Sequence, residues 1–239
     1  MKPATRYLLI AFWCILAIDC ILVYMQLQDE RIFTKPVLIP LLFIAFTVQT
    51  TGSIHSRSKF LIGAALFFSF VGDVLLLMND GEDNLYFILG LAAFLAAHVF
   101  YIIFFFHIHS INKRNMWVIP IAAVIILIYI GYFLGYMWQS LIIAKLLAPV
   151  IVYAVAIGLM LFSAIKTITG RRIKRLAISF FIPGAVLFVT SDSLLGLHKF
   201  KNIIADADVL IMLTYGAAQF LLVTGAMKLL KTKDHKEQH

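Results

Sequence analysis

The sequence predicts an all-α, polytopic membrane protein, a bundle of eight transmembrane helices. Three observations carry this. The 239 residues are 62% hydrophobic and 13% charged, whereas a soluble domain is nearer half apolar and a quarter charged, and the mean hydropathy is +0.97. The apolar residues fall in runs of roughly twenty, the length an α-helix needs to cross a ~30 Å hydrocarbon core, where a β-barrel would show short alternating segments. The loops are short, so consecutive helices should pack antiparallel. No soluble domain fits, and residues 1–239 read as one integral membrane domain.

The first span covers about residues 7–27. Met1–Arg6 is too short for a signal-peptide charge region followed by a cleavage site, so this span stays as a helix. Cys14 and Cys20 lie six apart on it. They share no close face and read as buried apolar residues. Asp19 is an intramembrane charge to which the sequence assigns no partner. The second span runs over about 33–51, with Arg31 and Lys35 counted to the loop before it. The third, about 59–78, carries Asp73 some five residues from its end, with Ser69 four residues earlier on the same face.

The fourth span, about 85–106, places Gly90, Phe94, His98 and Tyr101 on one face by spacings of four, four and three. A neutral imidazole bonded to a neighbour is the default for His98 near mid-membrane, but sharing a face with Tyr101 makes it a partner for a carboxylate. The fifth span is about 116–136 and the sixth about 140–165. Lys145 enters the sixth near its end and has two options: it snorkels to the surface, or it reaches inward to Asp73 or Asp192. Tyr153 follows eight residues on, close to the same face. The seventh span, about 175–197, has Pro183-Gly184 as a kink site before Asp192, which Ser191 and Ser193 flank. The eighth, about 205–228, lines up Asp208, Met212, Tyr215 and Gln219 on one stripe. Asp206 reads as a helix-start carboxylate, and Asp208 stays open between that role and the site. Glycines within the spans read as close-packing positions.

The net charge of +8 is distributed for a membrane, not for nucleic acid. With eight spans the termini share a side. Fifteen of the twenty Lys/Arg fall in the N-terminus, the loops near 52–58, 107–115 and 166–174, and the tail, against Arg31, Lys35, Lys199 and Lys201 on the other side. This positive-inside pattern puts both termini in the cytoplasm, where the basic clusters meet anionic lipid. Membrane lipids are therefore expected partners. The oligomeric state is not legible.

Two aspartates inside hydrophobic segments are the most informative feature. An ionisable group in a membrane span is expensive, and it is rare unless it faces a cavity, finds a partner or performs chemistry. Asp73 in FVGDVLLLM and Asp192 in FVTSDSLLGL lie near the same end of their spans. One such group reads equally well as a structural hydrogen-bonding carboxyl; two at matched depth favour a shared functional site. VGDVLL also resembles TSDSLL, which hints at a four-plus-four parallel repeat. His107 and His109 lie on the side opposite the aspartates, with no cysteine or acidic neighbour, and read as interfacial. No CxxC, HExxH or Walker pattern appears, so neither metal nor cofactor is expected.

The run FFSFVGDVLLLM, then GLAAFLAAHVFYIIFF, PGAVLFVTSDSLLGLHKF and LTYGAAQFLL resembles the YhhN-like membrane family, which includes the lysoplasmalogenases. The resemblance covers nearly the whole chain and is most specific in the third, fourth, seventh and eighth spans. It implies hydrolysis of the vinyl ether bond of lysoplasmalogens to a fatty aldehyde and a glycerophospho-base, with a lysophospholipid as substrate. The family's GD and SD aspartates match Asp73 and Asp192, its histidine matches His98, and its last-span Tyr and Gln match Tyr215 and Gln219.

That chemistry suits the residues. A vinyl ether is stable to base and labile to acid. Protonation of its β-carbon gives an oxocarbenium ion, water adds at the α-carbon, and the hemiacetal collapses. A carboxyl taken out of water keeps its neutral form more readily. One aspartate can then serve as the acid while the other stays ionised, as in glycosidases. His98, Tyr101, Tyr153, Ser191, Tyr215 and Gln219 are candidates to orient a carboxyl, the water or the substrate. Lys145 is a candidate to hold one aspartate ionised or to bind the lipid phosphate. Rival readings are a hydrolase of another lysolipid-like substrate, a proton-coupled transporter and a non-catalytic lipid-binding scaffold. A bacterial inner membrane is the expected location.

Overall fold

A computed structural model describes residues 1–27, 29–78, 84–108, 116–170, 173–201 and 207–237, with side chains as far as residue 232. Among these residues all regular structure is helical, and eight helices are long and apolar enough to cross a membrane. They are α1 (Pro3–Tyr24), α2 (Lys35–Thr50), α3 (Ser56–Leu77), α4 (Leu85–Ile108), α5 (Val118–Ile143), α6 (Leu147–Lys166), α7 (Ile182–Lys201) and α8 (Ala207–Glu237). The protein is an integral membrane protein. His109 and Asp206, both weighed above, lie outside the described residues.

Helix boundaries follow local chemistry. The break expected at 137–139 falls at Ala144–Leu146 instead, because Met137 and Leu141 continue the buried face of α5. Lys145 closes α5 in the left-handed region at φ 58°. The Leu146 N–H bonds the Leu141 carbonyl and the Lys145 N–H bonds the Ile142 carbonyl, each at 3.0 Å. This is the Schellman closure that glycine usually serves, and a cation there complements the helix C-terminus. Gln26, at φ 61°, ends α1 in the same way.

The irregularity expected at Pro183-Gly184 appears one turn earlier, as a π-helical turn over Ala177–Phe181. Proline has no N–H to give the preceding turn, and the wider turn absorbs the break in the ladder. A buried ion pair ties down the segment before α2. Asp19 of α1 is fully buried, takes the Thr34 hydroxyl at 2.7 Å and meets the Arg31 guanidinium at 3.4 Å. The charge without a partner in the sequence is thus matched by one read as a loop residue.

Helix α8 is the hub and packs against α1, α2, α3 and α7. Its approach to α7 depends on Gly184, where a Cβ would lie 2.9 Å from Leu222 and 3.2 Å from the Ala218 carbonyl oxygen. Helices α3 and α4 close similarly through Gly72, where a Cβ would stand 2.6 Å from the Phe94 ring. Helix α5 is the outlier. It packs against α6 and α7, and only 11% of its spanning stretch is buried, against 56% for α8.

Candidate active site

Two hydrogen-bonded networks cross the bundle near one end. The first joins α3, α4 and α8. Ser69 and Asp73 stand one turn apart on α3, and Tyr215 and Gln219 stand one turn apart on α8, so the two pairs meet as rungs. The Tyr215 hydroxyl donates to Asp73 Oδ2 at 2.7 Å. Gln219 Nε2 donates to Ser69 Oγ at 2.9 Å, and the Tyr101 hydroxyl of α4 donates to Gln219 Oε1 at 2.7 Å. Every member is buried. In lipid such groups have no water to fall back on, so a satisfied set fixes the helices relative to one another.

The second network joins α4, α6 and α7. The Tyr153 hydroxyl donates to Asp192 Oδ2 at 2.5 Å, and His98 Nε2 lies 3.0 Å from the Tyr153 oxygen and 3.5 Å from Asp192 Oδ2. Since Tyr153 gives its proton to the carboxylate, its oxygen accepts from His98. The imidazole then carries a proton on Nε2, and the buried Nδ1 has no hydrogen-bond partner among the described residues. Neighbouring serines fasten α7: Ser191 Oγ donates to the Ile211 carbonyl of α8 at 3.1 Å, and Ser193 Oγ lies 2.6 Å from the Tyr129 hydroxyl of α5.

An aromatic wall separates the two networks. The Phe188 ring lies 4.7 Å from His98 on one side and 5.6 Å from Tyr215 on the other, with Phe94 edge-on to both Phe188 and Tyr215. Each carboxylate is therefore held by its own tyrosine.

They meet at a cavity of about 440 Å³ that both aspartates line. This is within the range of small-molecule sites. Its charged rim comprises Arg31, Lys35, His198 and Lys199 with Asp208, and Ser191 and Tyr215 also face it. His198 Nε2 is 3.9 Å from Asp208 Oδ1 across the α7–α8 mouth. Lys199 lies over the Phe87 ring at 5.3 Å. At Asp192 the cavity adjoins a second space, an apolar groove between α5, α6 and α7. Phe87, Asp192 and Leu195 line both, and Ile130, Phe133, Met137 and Ile157 wall the groove.

Of the residues expected from sequence, Asp73, Asp192, Ser191 and Tyr215 reach the cavity, with Tyr153 on the groove. His98, Tyr101 and Gln219 stand behind them, bonded into the two networks. Lys145 does not join them. As the left-handed cap of α5 it is exposed at the turn and forms no hydrogen bond or ion pair with either aspartate. The cations at the cavity are Arg31, Lys35 and Lys199 instead, all read from sequence as loop charges, with His198 beside them. The available signal was Asp19, whose burial demands a cation, with Arg31 and Lys35 four apart beside the next span.

The YhhN family model matches residues 30–226, most of the chain. A curated relative, "Lysoplasmalogenase TMEM86B" of Mus musculus, is 28% identical over 201 residues, covering 84% of this chain and 76% of the mouse protein. No solved structure matches.

Proposed function

Because this chain belongs to the YhhN family, we propose that it is a membrane-embedded hydrolase that cleaves the vinyl ether bond of lysoplasmalogens. The products are a fatty aldehyde and a glycerophospho-base, glycerophosphoethanolamine or glycerophosphocholine. One observation carries the reading: a buried aspartate, Asp73, and a part-buried one, Asp192, on separate networks, line one charged cavity, and Asp192 also lines the adjoining apolar groove. A single-chain lipid has this division, with a polar head, an apolar tail and the reacting bond where they join. The name of the mouse relative points to the same chemistry.

In the mechanism, the tail lies in the α5–α6–α7 groove and the head group in the cavity, so the vinyl ether rests beside Asp192. One carboxyl protonates the β-carbon. The C=C electron pair forms the new C–H bond, and the oxygen lone pair stabilises the resulting oxocarbenium ion. The other carboxylate stabilises that cation and takes a proton from water as it adds to the α-carbon. The hemiacetal then breaks its C–O bond, the glycerol oxygen leaves with a proton, and the aldehyde remains. Tyr153 with His98, and Tyr215 with Gln219, act as positioning residues that hold one oxygen of each carboxyl and leave the other for the reaction. The cavity end of the bundle is assigned to the non-cytoplasmic side on the charge distribution, in a bacterial inner membrane.

The test is aldehyde release by purified protein from 1-alkenyl lysophosphatidylethanolamine. Release by wild type and by neither Asp73→Asn nor Asp192→Asn, both folded, is the expected result. Near-normal turnover in either variant removes that residue from the mechanism. No release by folded wild type sinks the reaction.

A further inference from the structure

Lys35 is a buried cation that the reaction scheme above does not use. It is 9% exposed and lines the cavity with both aspartates. It forms no hydrogen bond or ion pair with any described residue, and the neighbouring guanidinium of Arg31 is engaged by Asp19. Although Asp73 and Asp208 line the same space, no described carboxylate lies within ion-pairing distance of the Lys35 ammonium. Asp73, Asp19 and Asp208 act on it only through space, and a buried charge with no contacting partner is costly.

Its place in the fold adds to the cost. Lys35 opens α2, after the N-cap Thr34 and before Pro36. A cation in the first turn opposes the helix dipole. The ammonium and the cavity wall thus agree on one kind of ligand, an anion small enough to enter between α2, α7 and α8. Lys199 of α7, which lines the same cavity, supplies a second positive group. The groove that starts at Asp192 is apolar, so the anion belongs to a molecule with a hydrocarbon tail.

We propose that Lys35 binds the phosphodiester of a single-chain lipid and thereby sets both the head-group requirement of the site and the position of the sn-1 oxygen beside Asp192. This rests on the lipid-hydrolase reading for its ligand, but its test does not require turnover. A phosphodiester oxygen accepts from the ammonium and the glycerol bridge spans from that point to the groove mouth. Lys35 therefore acts on where the reacting bond lies, and not on the bond itself.

The experiment compares binding of two unreactive alkyl ethers to the purified full chain: 1-O-hexadecyl glycerophosphoethanolamine, which carries the phosphodiester, and 1-O-hexadecylglycerol, which lacks it. Wild type is expected to prefer the phosphodiester lipid. Lys35→Met should weaken its binding by about ten- to a hundredfold, the worth of a charged hydrogen bond, with the alkylglycerol changed far less. Lys35→Arg should restore most of the preference. Inorganic phosphate alone should not displace the lipid; displacement would overturn the assignment to a lipid phosphodiester. An unchanged ratio in Lys35→Met, or parallel loss of both ligands, would overturn the role of Lys35. Wild type that binds as expected yet releases no aldehyde from the alkenyl lipid would defeat the hydrolase and leave this site standing.

Discussion

Tyr215 and Asp73 join the most buried helix of the bundle to the wall of its charged cavity through one 2.7 Å hydrogen bond. The bond leaves the tyrosine ring against Phe94 and Phe188, so a carboxylate oxygen and an aromatic wall are set by the same side chain. If the tyrosine positions the carboxyl, removing only its hydroxyl should separate chemistry from binding. Tyr215→Phe is expected to lower kcat by about ten- to a hundredfold with little change in KM, and to cost about 1 kcal/mol of stability. A rise in KM with kcat unchanged would assign the residue to substrate binding instead.

The second network predicts a parallel result from a different helix. Tyr153→Phe deprives Asp192 of its donor and His98 of its acceptor together. His98→Gln keeps a donor near the same place. We expect Tyr153→Phe to lose most turnover and His98→Gln to keep more of it than His98→Ala, measured as aldehyde release at saturating lipid. Equal loss in the two histidine variants would argue against a positioning role for the donor.

The Asp19–Arg31 pair should be coupled. Asp19→Asn removes the carboxylate that meets the buried Arg31 guanidinium and is expected to destabilise the protein by about 1.5–3 kcal/mol, the worth of a hydrogen bond to a charged group. Asp19→Asn with Arg31→Met should recover part of that loss. Additive losses in a double-mutant cycle, read by chemical unfolding in detergent, would mean the two charges do not depend on each other.

Close approach of α7 and α8 at Gly184 sets a steric limit. Gly184→Val pushes methyl groups toward Leu222 and the Ala218 carbonyl. The expected cost is about 1–3 kcal/mol, seen as a lower midpoint of thermal unfolding. An unchanged midpoint would mean the interface relaxes freely.

Groove width should govern chain length. Gly196 faces the groove, where a Cβ would sit 3.4 Å from Phe133. Gly196→Leu is expected to raise KM for long alkenyl chains more than for short ones. A uniform rise across chain lengths would place the tail elsewhere.

Much of this was legible in the residues. Hydropathy alone gives eight helices, since a lipid-spanning segment has no alternative way to satisfy its backbone. The spacings Ser69–Asp73 and Tyr215–Gln219 put the right groups on common faces. What sequence hides is which faces meet. Asp73 and Tyr215 stand far apart in the chain, and nothing local pairs them. Lys145 and Lys35 illustrate the same limit. Each is a cation near a helix end, but the left-handed closure of α5 turns one outward, while the Asp19–Arg31–Thr34 contact holds the segment that carries the other at the cavity both aspartates line. Boundary residues are decided by caps and ion pairs, which hydropathy does not register.

Helix α5, scarcely buried and packed mainly against α6 and α7, forms the outer wall of the apolar groove. For the proposed hydrolase this makes the bilayer the reservoir from which substrate is drawn. Turnover should then follow the mole fraction of alkenyl lysolipid in the surrounding membrane, not its concentration in the bulk. Dilution with inert lipid at constant total substrate should slow the reaction, as surface dilution does for enzymes that draw substrate from a two-dimensional solvent.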